Sequence, residues 1–369
     1  MHDLGKKRIT KDNPNPIISH MERKLKHNLV WVVVLLAATL LILVNHNRPA
    51  PYQKDSGLVF GTVYNITYQH KENLKAEIEQ ELRRFDGSLS PFNDTATITR
   101  INRNEAVAAD TFFTRVFRRS MEISQETGGA FDITVAPLVN AWGFGFREGT
   151  FPDSARVDSL LQFVGYRKVT LTDEGRIVKQ DSRLMLDCSA VAKGYAVDVV
   201  ARLLISKGVQ NFMVDIGGEV VVGGHNPQGT RWRIGINKPV DDSLSLNRDL
   251  QTVLHVSGVG IATSGNYRNY YYRDGKKYAH TIDPRTGYPV QHSILSATVI
   301  ARDCMSADAY ATAFMVMGLD EAVRFVEARP DLDAYFIHAD GEGKTAVYQT
   351  QGMERYLSEV PSTAPASRE

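Results

Sequence analysis

The sequence predicts an α+β protein with mixed or antiparallel sheets, preceded by one membrane-spanning helix. Three observations predict it. Helix-period and strand-period segments interleave without the strand–helix–strand rhythm of a doubly wound sheet. Two β-rich runs between Tyr267 and Ile282 meet at Asp274-Gly275, a hairpin signal. An apolar run, Leu29 to Val44, follows a basic segment.

A chain of 369 residues can bury one large core or two smaller ones. Its 43% hydrophobic and 23% charged content are ordinary for a globular protein. The net charge of +1, with the basic residues scattered beyond the N-terminus, gives no pointer to nucleic acid.

In the N-terminal segment, Lys6, Lys7, Arg8, Lys11, Arg23, Lys24 and Lys26 precede the apolar run. With His27 and Asn28 at headgroup depth, the run is just long enough to span, and the basic flank should stay cytoplasmic. The expectation is a cytoplasmic segment 1–28, a signal anchor at 29–46 and a linker at 47–57. The rival reading is a cleaved signal peptide, which would need a shorter basic region and a clear cleavage site. No cysteine follows the run closely, so a lipid-anchored cysteine is not expected. The globular domain is expected over 58–357. The Pro-, Ser- and Ala-rich end, 358–369, reads as a disordered tail.

Within the domain, Leu58–Tyr68 alternates like a strand and Lys75–Phe85 like an amphipathic helix. Thr111–Thr127 predicts a helix stopped by Gly128-Gly129. Arg183–Leu186 predicts a short strand, and Ala192–Ser206 a helix. Asn211–Gly223 and Arg231–Asn237 alternate as strands. Leu295–Ala301 and Asp333–His338 predict further strands, Ser306–Met317 and Leu319–Ala328 helices. Cys188 and Cys304 are the two cysteines; the favoured reading is a pair of buried thiols, with a disulfide open to an exported domain.

Five segments carry candidate chemistry. At Asp187-Cys188-Ser189-Ala190-Val191-Ala192-Lys193 small residues join a strand to a helix whose free N–H groups suit phosphate, and Lys193 adds a point charge. A tight packing turn is the alternative. Asp308 and Thr312 stand at i and i+4, two oxygens on one helix face, as a hard cation such as magnesium needs. Local helix capping would use the same residues. Between His280 and Gly287, Pro284 and Gly287 fix a turn that directs Asp283 and Arg285; Asp283 is a candidate general base with His280 its partner. Gly128-Gly129-Ala130-Phe131-Asp132, followed by Trp142-Gly143-Phe144-Gly145, suits an adenine or flavin surface, or simply a helix stop before an apolar strand. Phe92, in Ser90-Pro91-Phe92-Asn93, could stack on a ring.

Taken together and in this order, these segments resemble the ApbE-type FAD:protein FMN transferases over most of residues 58–350. The match also takes in Ala192-Lys193-Gly194-Tyr195-Ala196-Val197-Asp198, Asp215-Ile216-Gly217-Gly218, Thr263-Ser264-Gly265-Asn266-Tyr267 and Ala307-Asp308 with Thr312. The resemblance implies a two-lobed, T-fold-like domain with FAD between the lobes. It implies transfer of FMN from FAD to a threonine or serine of a target protein, with AMP leaving and magnesium on the pyrophosphate. By position, Asp308, Thr312 and the Ala190 carbonyl match metal ligands. Phe60, Phe92, Ala130, Phe131, Asp132, Asp187, Lys193 and Ile282 match FAD contacts, and His280 and Asp283 the catalytic segment. The partner it implies is an acceptor flavoprotein with an Asp-x-x-[Ser/Thr]-Gly-Ala-[Ser/Thr]-like site, such as a subunit of a membrane redox complex. The expected place is the inner membrane of a bacterium, with the domain on the periplasmic side. Cys188-Ser189-Ala190-Val191 depart from the family's usual Leu-Gly-Gly-Ile, small or apolar in both cases. An FAD pyrophosphatase, with water in place of the hydroxyl, and a tethered FAD-binding protein are the other readings.

Overall fold

The computed structural model of the protein describes residues 16–46, 49–145, 151–239, 249–266, 270–273 and 276–357. Contacts divide the chain into two units, Met1–Pro51 and Tyr52–Glu369.

The first unit holds α1 (Pro16–His46), which takes in the apolar run. Its described side chains from Leu29 to Leu40 are exposed, and those of residues 41–46 lie outside the described residues. Among the described residues no helix is long and apolar enough to cross a membrane, so the fold by itself lends the expected transmembrane segment no support. The basic residues up to Lys11 and the tail 358–369 also lie outside the described residues.

The second unit begins at Tyr52 rather than at residue 58. The expected linker runs into β1 (Tyr52–Val59), which pairs with β2 (Thr62–Gln69). What reads as one alternating strand is thus the end of one strand, a turn and the start of the next. Phe60 and Gly61, both left-handed at φ 51° and 72°, make the turn that two-residue hairpins favour. Next come α2 (Lys75–Leu89), α3 (Thr97–Asn102) and α4 (Thr111–Glu126). Asp110 caps α4 by accepting a hydrogen bond from the Phe113 N–H at 3.0 Å, and Gly128 and Gly129 end it with positive φ. After α5 (Ala136–Ala141) and α6 (Ser154–Leu161) follow the paired strands β3 (Val169–Leu171) and β4 (Ile177–Lys179). The strand expected at Arg183–Leu186 is a loop; Leu184 and Leu186 are buried there without joining a sheet.

The second half opens with α7 (Ser189–Ser206), which starts three residues earlier than expected. Then come β5 (Phe212–Ile216), β6 (Glu219–Gly223), β7 (Trp232–Asn237), β8 (Leu250–Val256) and β9 (Val259–Gly265). The run Asn211–Gly223 is again a hairpin, turned at Gly217-Gly218. The strands β10 (Tyr270–Arg273) and β11 (Lys276–Ala279) pair as expected, while their Asp274-Gly275 turn lies outside the described residues. The chain ends with β12 (Ile294–Ala301), α8 (Cys304–Met317), α9 (Leu319–Glu327), β13 (Asp333–Ala339), β14 (Thr345–Gln349) and α10 (Glu354–Leu357).

Eight strands form one sheet in the order β1-β2-β5-β6-β9-β12-β13-β14, every neighbouring pair antiparallel. This is the antiparallel alternative of the predicted α+β class. One face, with Tyr64, Ile66, Val214, Ala297 and Val299, packs under α2, α4, α7 and α8. The other, with Val220, Val222, Ile261 and Ile337, is covered by Trp232 and Leu254 of the β7–β8 hairpin and by Tyr356. A separate small core gathers Leu138, Trp142, Val157, Leu160 and Phe163 around Ile282. The Trp142 indole N–H donates to the Gly287 carbonyl at 2.8 Å, fastening the 280–287 segment to this small core.

Candidate active site

A cleft of about 480 Å³ lies where the small core meets α7, α8 and β9. Of the residues matched by position to metal ligands, FAD contacts or the catalytic pair, all line it except Phe60 and Asp283.

Its polar corner is built by α7 and α8. Asp303 caps α8 by accepting from the Ser306 N–H at 2.8 Å, and Asp198 on α7 accepts from the Cys304 and Met305 N–H groups at 3.0 and 2.9 Å. These bonds fix the register of the two helices. Asp308, on the second turn of α8, is buried, and its Oδ2 accepts from the Gly194 N–H on α7 at 2.9 Å. Thr312 stands one turn further on, its hydroxyl 3.3 Å from that of Ser264 on β9. Lys193 donates to Oε1 of Glu219, a residue 4% exposed at the start of β6.

The electrostatics of this corner follow from its burial. Burial, and then the neighbouring Glu219, push the Asp308 carboxyl up to about 8, against the pull of Lys193. Burial raises Glu219 as well. For Lys193, burial works to lower the ammonium, but Glu219 and Asp308 outweigh it and hold the group above its ordinary value.

The opposite wall is apolar and aromatic. Phe92, Phe131, Val139, Phe144 and Ile282 line it, with Ala130 and the Asp187 loop between. Asp132 organises this wall: its Oδ1 accepts from the Thr134 N–H and hydroxyl, and its Oδ2 from the Tyr166 N–H at 2.7 Å. Asp187 takes the Ser189 N–H at 2.8 Å, tying the loop to the start of α7. His280 lines the cleft near the Phe144 ring.

The structure does not bring Phe60 or Asp283 into the cleft wall. Phe60 packs on the main core, its ring 5.4 Å from Phe85. Asp283 is a turn organiser: its carboxylate accepts from the Arg285 N–H at 2.8 Å and the Arg285 guanidinium at 3.0 Å. Sequence reasoning missed Glu219 and Ser264 as individual site residues. The available signal for Glu219 was a lone acid opening the apolar run Val220-Val221-Val222.

The donors present suit a hard cation. Asp308 and Thr312 offer oxygen, and the buried Oε2 of Glu219 has no hydrogen-bond partner. Among the described residues no group of three or more His, Cys, Asp or Glu is arranged to hold a metal, so any cation here would keep water or substrate oxygens. Cys188 and Cys304 are free and buried.

Fold and site together define an α+β enzyme with one composite cleft, polar at the helix end and aromatic at the other. Comparison supplies the family. Residues 60–336 match the model of the ApbE family. The FAD:protein FMN transferase of Vibrio cholerae is 37% identical over 310 residues, covering 81% of this chain and 90% of its own. That of Escherichia coli is 33% identical over 330 residues, covering 84% and 93%. The solved flavin transferase ApbE from Vibrio cholerae matches with a TM-score of 0.75 at 34% identity, over 84% of this chain and all of the other. The flavinyl transferase ApbE of Pseudomonas stutzeri matches at 0.74 and 30%, over 85% and 99%. The chain belongs to the ApbE family, and its enzyme class is that of a transferase.

Proposed function

We propose that this chain transfers FMN from FAD to a threonine or serine hydroxyl of a target flavoprotein. The hydroxyl oxygen bonds to the FMN phosphorus, the pyrophosphate bridge breaks, AMP leaves and a phosphoester remains. The observation that carries this reading is the polar corner: Asp308 and Thr312 one turn apart on α8, beside Lys193 on α7, in one cleft wall.

Phosphoryl transfer asks for charge neutralisation and in-line placement more than covalent help. Lys193, at the start of α7, supplies a fixed positive charge. Asp308, Thr312 and the Ala190 carbonyl would hold magnesium, which when bound neutralises pyrophosphate charge. The aromatic wall excludes water and takes the rings of FAD. His280, which lines the cleft, takes the proton of the attacking hydroxyl. Asp283, expected as the base, instead fixes with Arg285 the turn next to His280.

The apolar run Leu29 to Val44 after a basic segment is the sequence feature behind a membrane anchor, with the domain on the periplasmic side of a bacterial inner membrane. Protease protection in spheroplasts tests this: the domain should be cut from outside, and protection of the domain would overturn it.

The activity test incubates the full-length chain with FAD, magnesium and a peptide carrying Asp-x-x-Thr-Gly-Ala-Thr. The expected result is a peptide heavier by one FMN, with AMP released. FMN and AMP beside an unmodified peptide would replace the transferase with a pyrophosphatase, and intact FAD would overturn both.

A further inference from the structure

We propose that Glu219 and Asp308 act as a cation-loading pair, taking up a divalent ion before FAD enters, with Glu219 Oε2 the oxygen held in reserve for it. The proposal rests on the magnesium-dependent reading above.

Three observations carry it. Glu219 is 4% exposed, yet only Oε1 is satisfied, by Lys193, while Oε2 is buried with no donor. A buried carboxylate oxygen left unpaired is costly, and native proteins keep few such atoms without a use. Packing does not call for it: the next three residues of β6 are valines.

Charge count is the second. Lys193 interacts with Glu219 and Asp308, and Asp215 also lies within its electrostatic reach. Several carboxylates thus surround one ammonium. An ammonium already paired with Glu219 has little positive charge left for a pyrophosphate arriving alone; a divalent cation bound first would supply it.

The third is the openness of the arrangement. The oxygen donors gathered on this wall are few: Asp308, Glu219 and the Thr312 hydroxyl. Two carboxylates, the Thr312 hydroxyl and water would hold a cation loosely and leave positions for phosphate oxygens. Because coupling is reciprocal, an ion that loads first tightens FAD, and FAD tightens the ion.

The test uses full-length protein in detergent with Mn²⁺ as the probe, counted by the electron paramagnetic resonance of the free ion without FAD. Wild type should bind Mn²⁺, and Glu219→Gln should weaken that binding on the order of tenfold or more. In EDTA, Glu219→Gln should bind FAD at least as tightly as wild type, since a negative charge has gone. A merely structural role for Glu219 would weaken FAD as well, and that result, or unchanged Mn²⁺ binding, overturns the proposal. Mn²⁺ bound by wild type only when FAD is present overturns it too, while leaving the magnesium-dependent reading intact. No Mn²⁺ bound even with FAD removes both. Should Glu219→Gln not fold, Lys193→Gln decides: freeing both Glu219 oxygens should tighten Mn²⁺ in the FAD-free protein, and weaker or equal binding counts against the pair.

Discussion

Gly194 and Asp308 join α7 to α8 in the wall of the cleft. The Gly194 N–H donates to Asp308 Oδ2 at 2.9 Å, and a Cβ on Gly194 would sit 2.7 Å from the Asp308 Cβ and 2.4 Å from the Cys304 carbonyl oxygen. Backbone cannot yield to such a contact as a flexible side chain would. Gly194→Ala should therefore push the helices apart, cost about 1–3 kcal/mol of stability and displace Asp308 from Lys193. Urea denaturation and FMN transfer should fall together; a variant as stable and active as wild type would show that the helices have room.

Asp308→Asn keeps an acceptor for the Gly194 N–H but removes the charge. Thr312→Val removes the hydroxyl at constant shape. Each should lower magnesium-dependent transfer on the order of a hundredfold while leaving FAD binding in EDTA near wild type. Titration of FAD fluorescence beside turnover separates the two effects. Loss of FAD binding in EDTA would assign these residues to FAD instead.

His280 lines the cleft, and Asp283 is engaged by Arg285. His280→Ala should lower kcat on the order of a hundredfold or more with little change in KM for FAD. Asp283→Asn weakens the turn and should cost less. The reverse ranking in steady-state kinetics would return the role of base to Asp283.

Asp198 couples stability to pH. Burial pushes its carboxyl up to about 7, although the Cys304 and Met305 N–H groups favour the charged form. The unfolded value is about 3.9, so the folded protein holds this proton more tightly. Its contribution is fully present below that value and is lost as pH rises through about 7. Asp198→Asn should flatten the fall in unfolding free energy between about pH 4 and about pH 7. An unchanged slope in urea titrations would place the proton elsewhere.

The polar corner was largely legible in the sequence, because its members sit on helices where i and i+4 spacing dictates a shared face. The strands were less so. A two-residue turn preserves period-two alternation, so Leu58–Tyr68 and Asn211–Gly223 each look like one strand although Phe60-Gly61 and Gly217-Gly218 reverse the chain. β8 and β9, unassigned in the sequence, are defined by pairing with partners distant in the chain. Glu219 was hidden for a similar reason: its role depends on Lys193, 26 residues earlier, and local pattern does not report such a meeting. Asp132 and Asp283 were legible as important acids, but whether an acid faces a cleft or its own loop is settled by the loop's hydrogen bonds.

The fastening of Trp142 to Gly287 has an evolutionary consequence. The small core is a separate packing unit that carries much of the aromatic wall and the turn beside His280, while the charged corner belongs to the main core. The two can drift at different rates. Descendants of this chain are free to reshape what they admit, by exchanging side chains around Trp142, without disturbing the register of α7 on α8. The molecule is in effect a fixed tool with an interchangeable jaw.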